Sequence, residues 1–218
     1  WSTEIKERVF HSFHRVPITV EELQLKETTG THQRVIDMVA HELITKERIE
    51  EWKELPGVAP GVDISRDIVK LAAIERHKNT GHVGLGFLGK YGLKKGAVAT
   101  SIGHDSHNLV IAGVTDEDMV LAGNRVIENG GGLAIALEGK VLADLPLPIG
   151  GLMADEPVEV VDEKLEHMKK LSVELGISED IDAFMTLAFI SLPVIPKLRL
   201  NTYGVVDVEK HQVVEARF

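Results

Sequence analysis

The chain contains 218 residues, of which 44% are hydrophobic and 27% are charged, the composition of an ordinary globular protein. Its formal net charge of −10 argues against a binder of nucleic acid or of an anionic membrane, and no apolar run approaches the roughly 20 residues of a membrane-spanning helix. The absence of cysteine excludes disulfides and thiolate metal sites and favours a reducing compartment, so we predict a cytoplasmic protein.

The first half of the chain predicts an arm followed by strands. Residues 1–33 are polar, and their apolar positions follow no clean period, which predicts an arm or the tail of a preceding domain. A domain is predicted for residues 34–218, opening with a strand at 35–39 and a stretch at 44–55 that could be strand or helix. Short, β-branched apolar runs then predict buried strands at 68–74, 97–102 and 109–114.

The second half predicts two helices, a hairpin and an interrupted apolar segment. Thr115 caps the first helix, and residues 133–145 read as a hairpin around Glu138 and Gly139. Asp155 is predicted to cap a second helix, with Pro157 in its first turn and Gly176 ending it. Two prolines prevent residues 183–200 from forming one straight helix, and residues 204–218 could form a closing strand. The predicted fold class is α/β or α+β, a layered mixed β-sheet with a few helices.

The densest polar cluster of the sequence is the run from His104 to Asn108. It lies between two predicted strands, so we expect a loop at the end of the sheet, where working groups are often displayed. Two imidazoles flanking a carboxylate could bind a metal, shuttle a proton or hydrogen-bond the edge of a purine. The alternative is that Asp105, Ser106 and Asn108 form turn hydrogen bonds and that His104 and His107 are incidental.

A second polar group follows the predicted strand at 68–74. In an extended chain Glu75 and His77 point to the same face, where the carboxylate could orient the imidazole and raise its pKa. The alternative is a surface ion pair among Glu75, Arg76 and His77. The stretch from Gly84 to Gly89 has the spacing of the dinucleotide-binding fingerprint, but no helix pattern follows it. Its glycines instead indicate tight turns or close backbone packing.

A series of short strings, taken in order along the chain, points to one family. They are Ile74-Glu75-Arg76-His77 with Thr80-Gly81, Gly84-Leu85-Gly86-Phe87, Gly92-Leu93-Lys94-Lys95-Gly96-Ala97, His104-Asp105-Ser106-His107-Asn108, Leu145-Pro146-Leu147-Pro148-Ile149, Gly151-Leu152-Met153, Phe184-Met185-Thr186-Leu187 and Leu192-Pro193-Val194-Ile195-Pro196. Their order and spacing resemble the C-terminal domain of bacterial and archaeal adenine deaminases, from about residue 30 to the end of the chain.

The resemblance implies a metal-dependent hydrolysis of adenine to hypoxanthine and ammonia, in which a metal-bound hydroxide attacks the amino-bearing carbon. In that family the divalent metal (Mn, Fe or Zn) is held in an amidohydrolase barrel. This chain has no His-x-His motif and too few residues for a barrel of about 250, so we expect no complete amidohydrolase barrel. We therefore expect a barrel domain or a companion chain as a partner. Adenine is the expected substrate, and the chain is expected to form a homo-oligomer.

The resemblance also suggests roles for the polar residues, with the loop at 104–108 facing the mouth of the barrel. His104, Asp105 and His107 are predicted to support catalysis; the metal ligands are left unassigned, with His104 and His107 as candidates. The residues predicted to contact the substrate are Ser106, Asn108, Glu75 and His77. Two alternatives remain open at this stage: a non-catalytic module that binds a purine or a metal, and a structural lid or oligomerisation domain.

Overall fold

The computed structural model describes residues 2–25 and 29–218, and these form two β-sheets and four α-helices. The helices are α1 (Thr3–Phe10), α2 (Asp116–Glu128), α3 (Val158–Glu174) and α4 (Ala183–Ile190). The strands are β1 (His32–Met38), β2 (Thr45–Glu51), β3 (Ile68–Ile74), β4 (Val83–Gly89), β5 (Ala97–Thr100), β6 (Leu109–Gly113), β7 (Gly132–Leu137), β8 (Lys140–Pro146), β9 (Leu198–Asn201), β10 (Gly204–Asp207) and β11 (Gln212–Val214). None of the helices in these residues is long and apolar enough to cross a membrane.

The large sheet has the strand order β2-β1-β4-β3-β6-β5-β7-β8, and only its β1–β4 pair is parallel. The small sheet is antiparallel, in the order β11-β10-β9. The large sheet keeps two edges, at β2 and β8, so the described part of the chain contains no closed barrel. The molecule is therefore an α+β protein with a mixed sheet, which confirms the predicted fold class.

Helices and the small sheet cover the large sheet from both sides, which explains its continuous apolar strands. Within β3, Leu71 and Ala73 belong to one core cluster, whereas Ala72 and Ile74 belong to the other. Because consecutive side chains of a strand point to opposite faces, a strand buried on both faces is largely apolar. The exception in β3 is Lys70, which is paired with Asp116. The first cluster packs against α3, α4 and the small sheet. The second packs against α2 and against Ile18 and Leu23 of the N-terminal segment.

Most of the predicted elements are confirmed, with corrections at particular residues. The strand-or-helix stretch at 44–55 contains strand β2, and residues 204–218 contain two short strands where one was predicted. The prediction that Asp155 caps the second helix is wrong. Pro157, in an extended conformation, is the residue before the helix, and no side chain caps that end. Asp155 lies two residues before Pro157, too far from the helix for its carboxylate to act as the cap.

The glycine-rich stretch is strand β4, which the sequence analysis did not predict. Its rejection as a dinucleotide loop is confirmed, because Gly84 and Gly86 lie inside the strand and no helix follows. A Cβ atom on Gly84 would lie 1.8 Å from the carbonyl oxygen of Asn201, and one on Gly86 would lie 3.0 Å from Val205. The glycines therefore allow the small sheet to pack directly on the backbone of β4, which confirms close backbone packing.

Candidate functional site

The register of the large sheet brings the two predicted polar motifs together. The loop from His104 to Asn108 connects β5 to β6, and β6 pairs with β3 so that Leu109 lies opposite Ile74. The loop therefore ends where Glu75, Arg76 and His77 begin, at one end of the sheet. This proximity follows from the pairing of β3 with β6, which are separated along the chain by β4 and β5.

Three hydrogen bonds connect the two motifs. The backbone amide of Arg76 donates to Oδ1 of Asn108 at 3.3 Å, and Nε of Arg76 donates to the carbonyl oxygen of His107 at 2.5 Å. The ring Nε2 of His77 lies 2.6 Å from the carbonyl oxygen of Ser106. The side chains of Asp105, Ser106 and His77 are exposed, whereas those of His104, His107 and Asn108 are half-buried. The motifs thus form one connected surface with an exposed tip, which we call the 104–108 loop site.

The carboxylate of Glu75 binds backbone amides and does not bind the ring of His77. It accepts hydrogen bonds from the amides of His77, Lys78 and Thr80 at 2.6–2.9 Å and from the hydroxyl of Thr80 at 3.0 Å. Burial alone would raise the pKa of Glu75, but these amides outweigh that effect and lower the pKa to about 2. Glu75 therefore stabilises the turn that carries His77.

Replacing Glu75 tests its role in this turn, because the contribution of its carboxylate to the unfolding free energy depends on pH. The folded-state pKa lies below the unfolded value of 4.5, so the contribution of Glu75 is complete above pH 4.5 and is lost as the pH falls to 2. Because the group is partly solvated, we expect Glu75→Gln to cost about 1–2 kcal/mol of unfolding free energy at pH 7. Urea denaturation at pH 7 and pH 2 should show this difference disappear in acid. A pH-independent difference would contradict the assignment, and Glu163→Gln on the exposed face of α3 is the control.

The two histidines of the loop lie against α4. The amide of His104 donates to the carbonyl oxygen of Ala188 at 2.8 Å, and its ring centroid lies 4.8 Å from that of Phe189. The ring centroids of His104 and His107 are 5.7 Å apart. His107 has a positive φ of 49°, and its Nδ1 is buried with no hydrogen-bond partner among the described residues. One imidazole nitrogen in the site is therefore free to accept or donate a hydrogen bond.

Burial lowers the pKa of His107, and the charges of His104, Arg76 and His77 lower it further, with Asp105 acting in the opposite direction. We expect His107 to be neutral at pH 7 and to titrate below its ordinary value of 6.5 in an NMR titration of the imidazole protons. Asp105→Asn removes the charge that favours the imidazolium ion and should lower the pKa of His107 further. A value above 6.5, or an increase in Asp105→Asn, would show that the imidazole is in a different environment.

Arg76 is a residue of this site that the sequence pattern does not single out, since Glu75, Arg76 and His77 together resemble a surface ion pair. Its side chain is 1% exposed. Beyond its bond to His107, Nη2 donates to the carbonyl oxygen of Gly150 at 2.9 Å, and the guanidinium lies 4.9 Å from the ring centroid of Phe13. Burial lowers its pKa to about 10, with Glu75 acting in the opposite direction, so Arg76 is charged at neutral pH. Nothing in the sequence pattern distinguishes this arginine from an exposed one.

The described residues do not by themselves form a metal site. Within residues 2–25 and 29–218, no three His, Asp or Glu side chains are placed to hold a metal ion together. His104 and His107 are half-buried neighbours, and Asp105 between them is exposed. Two imidazoles without a third protein ligand do not fit the three- or four-ligand sites typical of catalytic or structural zinc.

Comparison with known proteins identifies the family. The model of the adenine deaminase C-terminal domain matches residues 42–212. Adenine deaminase 2 of Carboxydothermus hydrogenoformans is 48% identical over 181 residues, which are 83% of this chain and 32% of the relative. The adenine deaminase of Kosmotoga olearia is 48% identical over 185 residues, covering 85% of this chain and 32% of the relative. The adenine deaminase of Lysinibacillus sphaericus is 39% identical over 213 residues, covering 97% of this chain and 36% of the relative.

The described residues form an open α+β domain without a closed barrel. The chain belongs to the family of adenine deaminase C-terminal domains. It spans about a third of the length of the curated relatives it matches.

Proposed function

We propose that this chain is the C-terminal part of an adenine deaminase, an enzyme that hydrolyses adenine to hypoxanthine and ammonia. The observation that carries the proposal is the family match over residues 42–212, supported by relatives named adenine deaminase. These relatives are about three times as long as the matched region. We assign the amidohydrolase barrel to the part of the protein that corresponds to their remaining length.

In this proposal the 104–108 loop site faces the mouth of the barrel. His104, Asp105 and His107 support catalysis, and the neutral imidazole of the half-buried His107 is suited to a hydrogen bond with purine or with a side chain of the barrel. Ser106 and His77 are exposed at the tip, so they are suited to contact the substrate directly. The oxygens of Glu75 and Asn108 already accept hydrogen bonds within the chain, so we assign these two residues the role of shaping the site.

The divalent metal, which we propose to be Mn, Fe or Zn, belongs to the barrel in this scheme. The described residues offer no group of three ligands, so we assign no step of the reaction to a metal held by this chain. The metal would supply an activated water, and the residues of the 104–108 loop site would orient the purine and limit the access of bulk water.

The remaining proposals concern the surroundings of the chain. We propose that residues 1–33 lead from the barrel into this domain. Helix α1 has no buried residue, whereas Ile18 and Leu23, further along, are anchored in the core.

We also propose that the protein acts in the cytoplasm and forms a homo-oligomer. Size-exclusion chromatography with light scattering measures the oligomeric state directly.

The test is ammonia release from adenine, measured on this chain produced together with the barrel. We expect His104→Ala and His107→Ala each to lower kcat/KM by about tenfold or more, because correct positioning of reacting groups supplies much of enzymatic catalysis. His167→Ala, on the exposed side of α3, is the matched control and should leave activity unchanged. Full activity in both loop variants would remove the loop from the mechanism. Binding of adenine without ammonia release by the assembled protein would favour a non-catalytic binding module.

A further inference from the structure

A buried arginine that has no anionic partner among the described residues lies beside a cavity next to the 104–108 loop site. Arg199, on β9, is 1% exposed. Its guanidinium donates from Nη1 to the carbonyl oxygen of Leu198 at 3.4 Å and from Nη2 to that of Leu43. Its Nε has no hydrogen-bond partner among the described residues. Burial lowers the pKa of Arg199 to about 10, and no carboxylate acts in the opposite direction.

Arg199 differs from the other buried cations of the described chain. Lys70, also 1% exposed, lies 2.6 Å from the carboxylate of Asp116, and Arg15 is paired with Glu22. The guanidinium of Arg76 binds carbonyl oxygens through Nε and Nη2 and has Glu75 close enough to stabilise its charge. A buried charge without a counter-charge is costly, so its retention indicates that an anion occupies the neighbouring space in the working protein.

The neighbouring space is a cavity of about 190 Å³ between α4 and the β1–β2 turn. Its lining residues include Glu42, Leu43, Ile44, Met185, Phe189 and Arg199. Because Nη2 of Arg199 binds the carbonyl oxygen of Leu43, another lining residue, the guanidinium end of the side chain lies at the cavity wall. Leu43, Ile44 and Met185 are exposed apolar side chains at the same cavity. The cavity thus combines apolar walls with one cation.

We propose that this cavity is a binding site for a small organic carboxylate, held by Arg199 through its carboxylate and by the apolar walls through its hydrocarbon part. A guanidinium matches the planar geometry of a carboxylate, and an apolar pocket with few polar groups is the usual form of a small-ligand site. Glu42, which also lines the cavity, is exposed and forms no ion pair with Arg199 in the described structure. Phe189 separates the cavity from His104, so an occupant would support the wall on which the loop histidine packs.

Benzoate and its neutral analogue benzamide are probes of nearly equal size that differ in charge. In calorimetric titrations of this chain we expect benzoate to bind at least tenfold more tightly than benzamide. Arg199→Met should abolish the difference between the two, whereas Arg125→Met, on the opposite side of the large sheet, should preserve it. Equal binding of the two probes, or benzoate binding that survives in Arg199→Met, would overturn the proposal. The comparison of probes on the unaltered chain remains decisive if Arg199→Met does not fold.

The carboxylate could be a free small molecule or an acidic side chain from the rest of the protein, and the second source rests on the proposed function. Titrating benzoate into this chain alone and into the chain assembled with the barrel separates the two. Binding to both indicates a free ligand, whereas binding to the isolated chain alone indicates that a side chain of the barrel fills the cavity. The adenine deaminase assay is independent of this result, so failure of the cavity proposal leaves the proposed function standing.

Discussion

Arg76→Met is expected to lower the free energy of unfolding by about 3 kcal/mol and to release the 104–108 loop from its fixed conformation. The substitution leaves the partly buried carbonyl oxygens of His107 and Gly150 without their guanidinium donor, and an unsatisfied buried group costs about 1–3 kcal/mol. Removal of the buried charge itself offsets part of this cost. Urea denaturation measures the stability, and the backbone amide shifts of residues 104–108 report the order of the loop.

Two further variants test whether the guanidinium acts through its geometry. Arg76→Lys keeps the charge but not the planar fork, so we expect it to lose stability and to move the same amide shifts in the same direction. Arg125→Met, in which a 40%-exposed side chain loses an ion pair of 3.3 Å, should change the stability by no more than about 0.5 kcal/mol. A loss of less than 1 kcal/mol in Arg76→Met, with unchanged loop shifts, would show that the guanidinium does not hold the loop in place.

Lys70→Met is expected to cost about 3–5 kcal/mol, because it leaves the carboxylate of Asp116 buried without a cation. Lys70 Nζ donates to Asp116 at 2.6 Å and to the carbonyl oxygen of Leu23 at 2.8 Å. One ammonium group therefore fixes both the start of α2 and the N-terminal segment to the large sheet. Thermal and urea denaturation of the variant measure the cost.

The double variant Lys70→Met, Asp116→Asn distinguishes the buried charge from simple loss of packing. It removes the uncompensated carboxylate while keeping a polar group beside Gln24, whose amide donates to Asp116 at 2.8 Å. We expect it to recover at least half of the stability lost in the single variant. A double variant as unstable as Lys70→Met would mean that the hydrogen bond to Leu23, and not the charge on Asp116, accounts for the effect.

The sequence predicted those parts of the fold whose stability depends on local pattern. Strand β3 has the predicted bounds because a run of β-branched and small residues, apolar apart from Lys70, suits a position buried on both faces. Helix α2 begins as predicted because the hydroxyl of Thr115 accepts from the amide of Asp118. Strand β4 was not predicted, since Gly84 and Gly86 have low strand propensity and are selected by contact with a different sheet.

The candidate site could be predicted only in part, because its contacts join residues that are distant in sequence. The polar character of the 104–108 loop is visible in the sequence, and its position at the end of a sheet follows from the flanking apolar runs. Its contact with Glu75–His77 depends on the pairing of β3 with β6, which no local pattern encodes. The buried position of Arg76 depends on Gly150 and Phe13, which are distant in sequence, so composition alone suggested an exposed ion pair.

The direct packing of the small sheet on Gly84 also affects which parts of the molecule unfold together. Three short strands are marginally stable alone, and this sheet rests on the backbone of β4 without an intervening layer of side chains there. Amide protons of β9 and β10 should therefore exchange with solvent at rates close to those of β3 and β4, as one cooperative unit. Truncation before residue 198 would then expose the centre of the large sheet, and would not yield a smaller domain that folds independently.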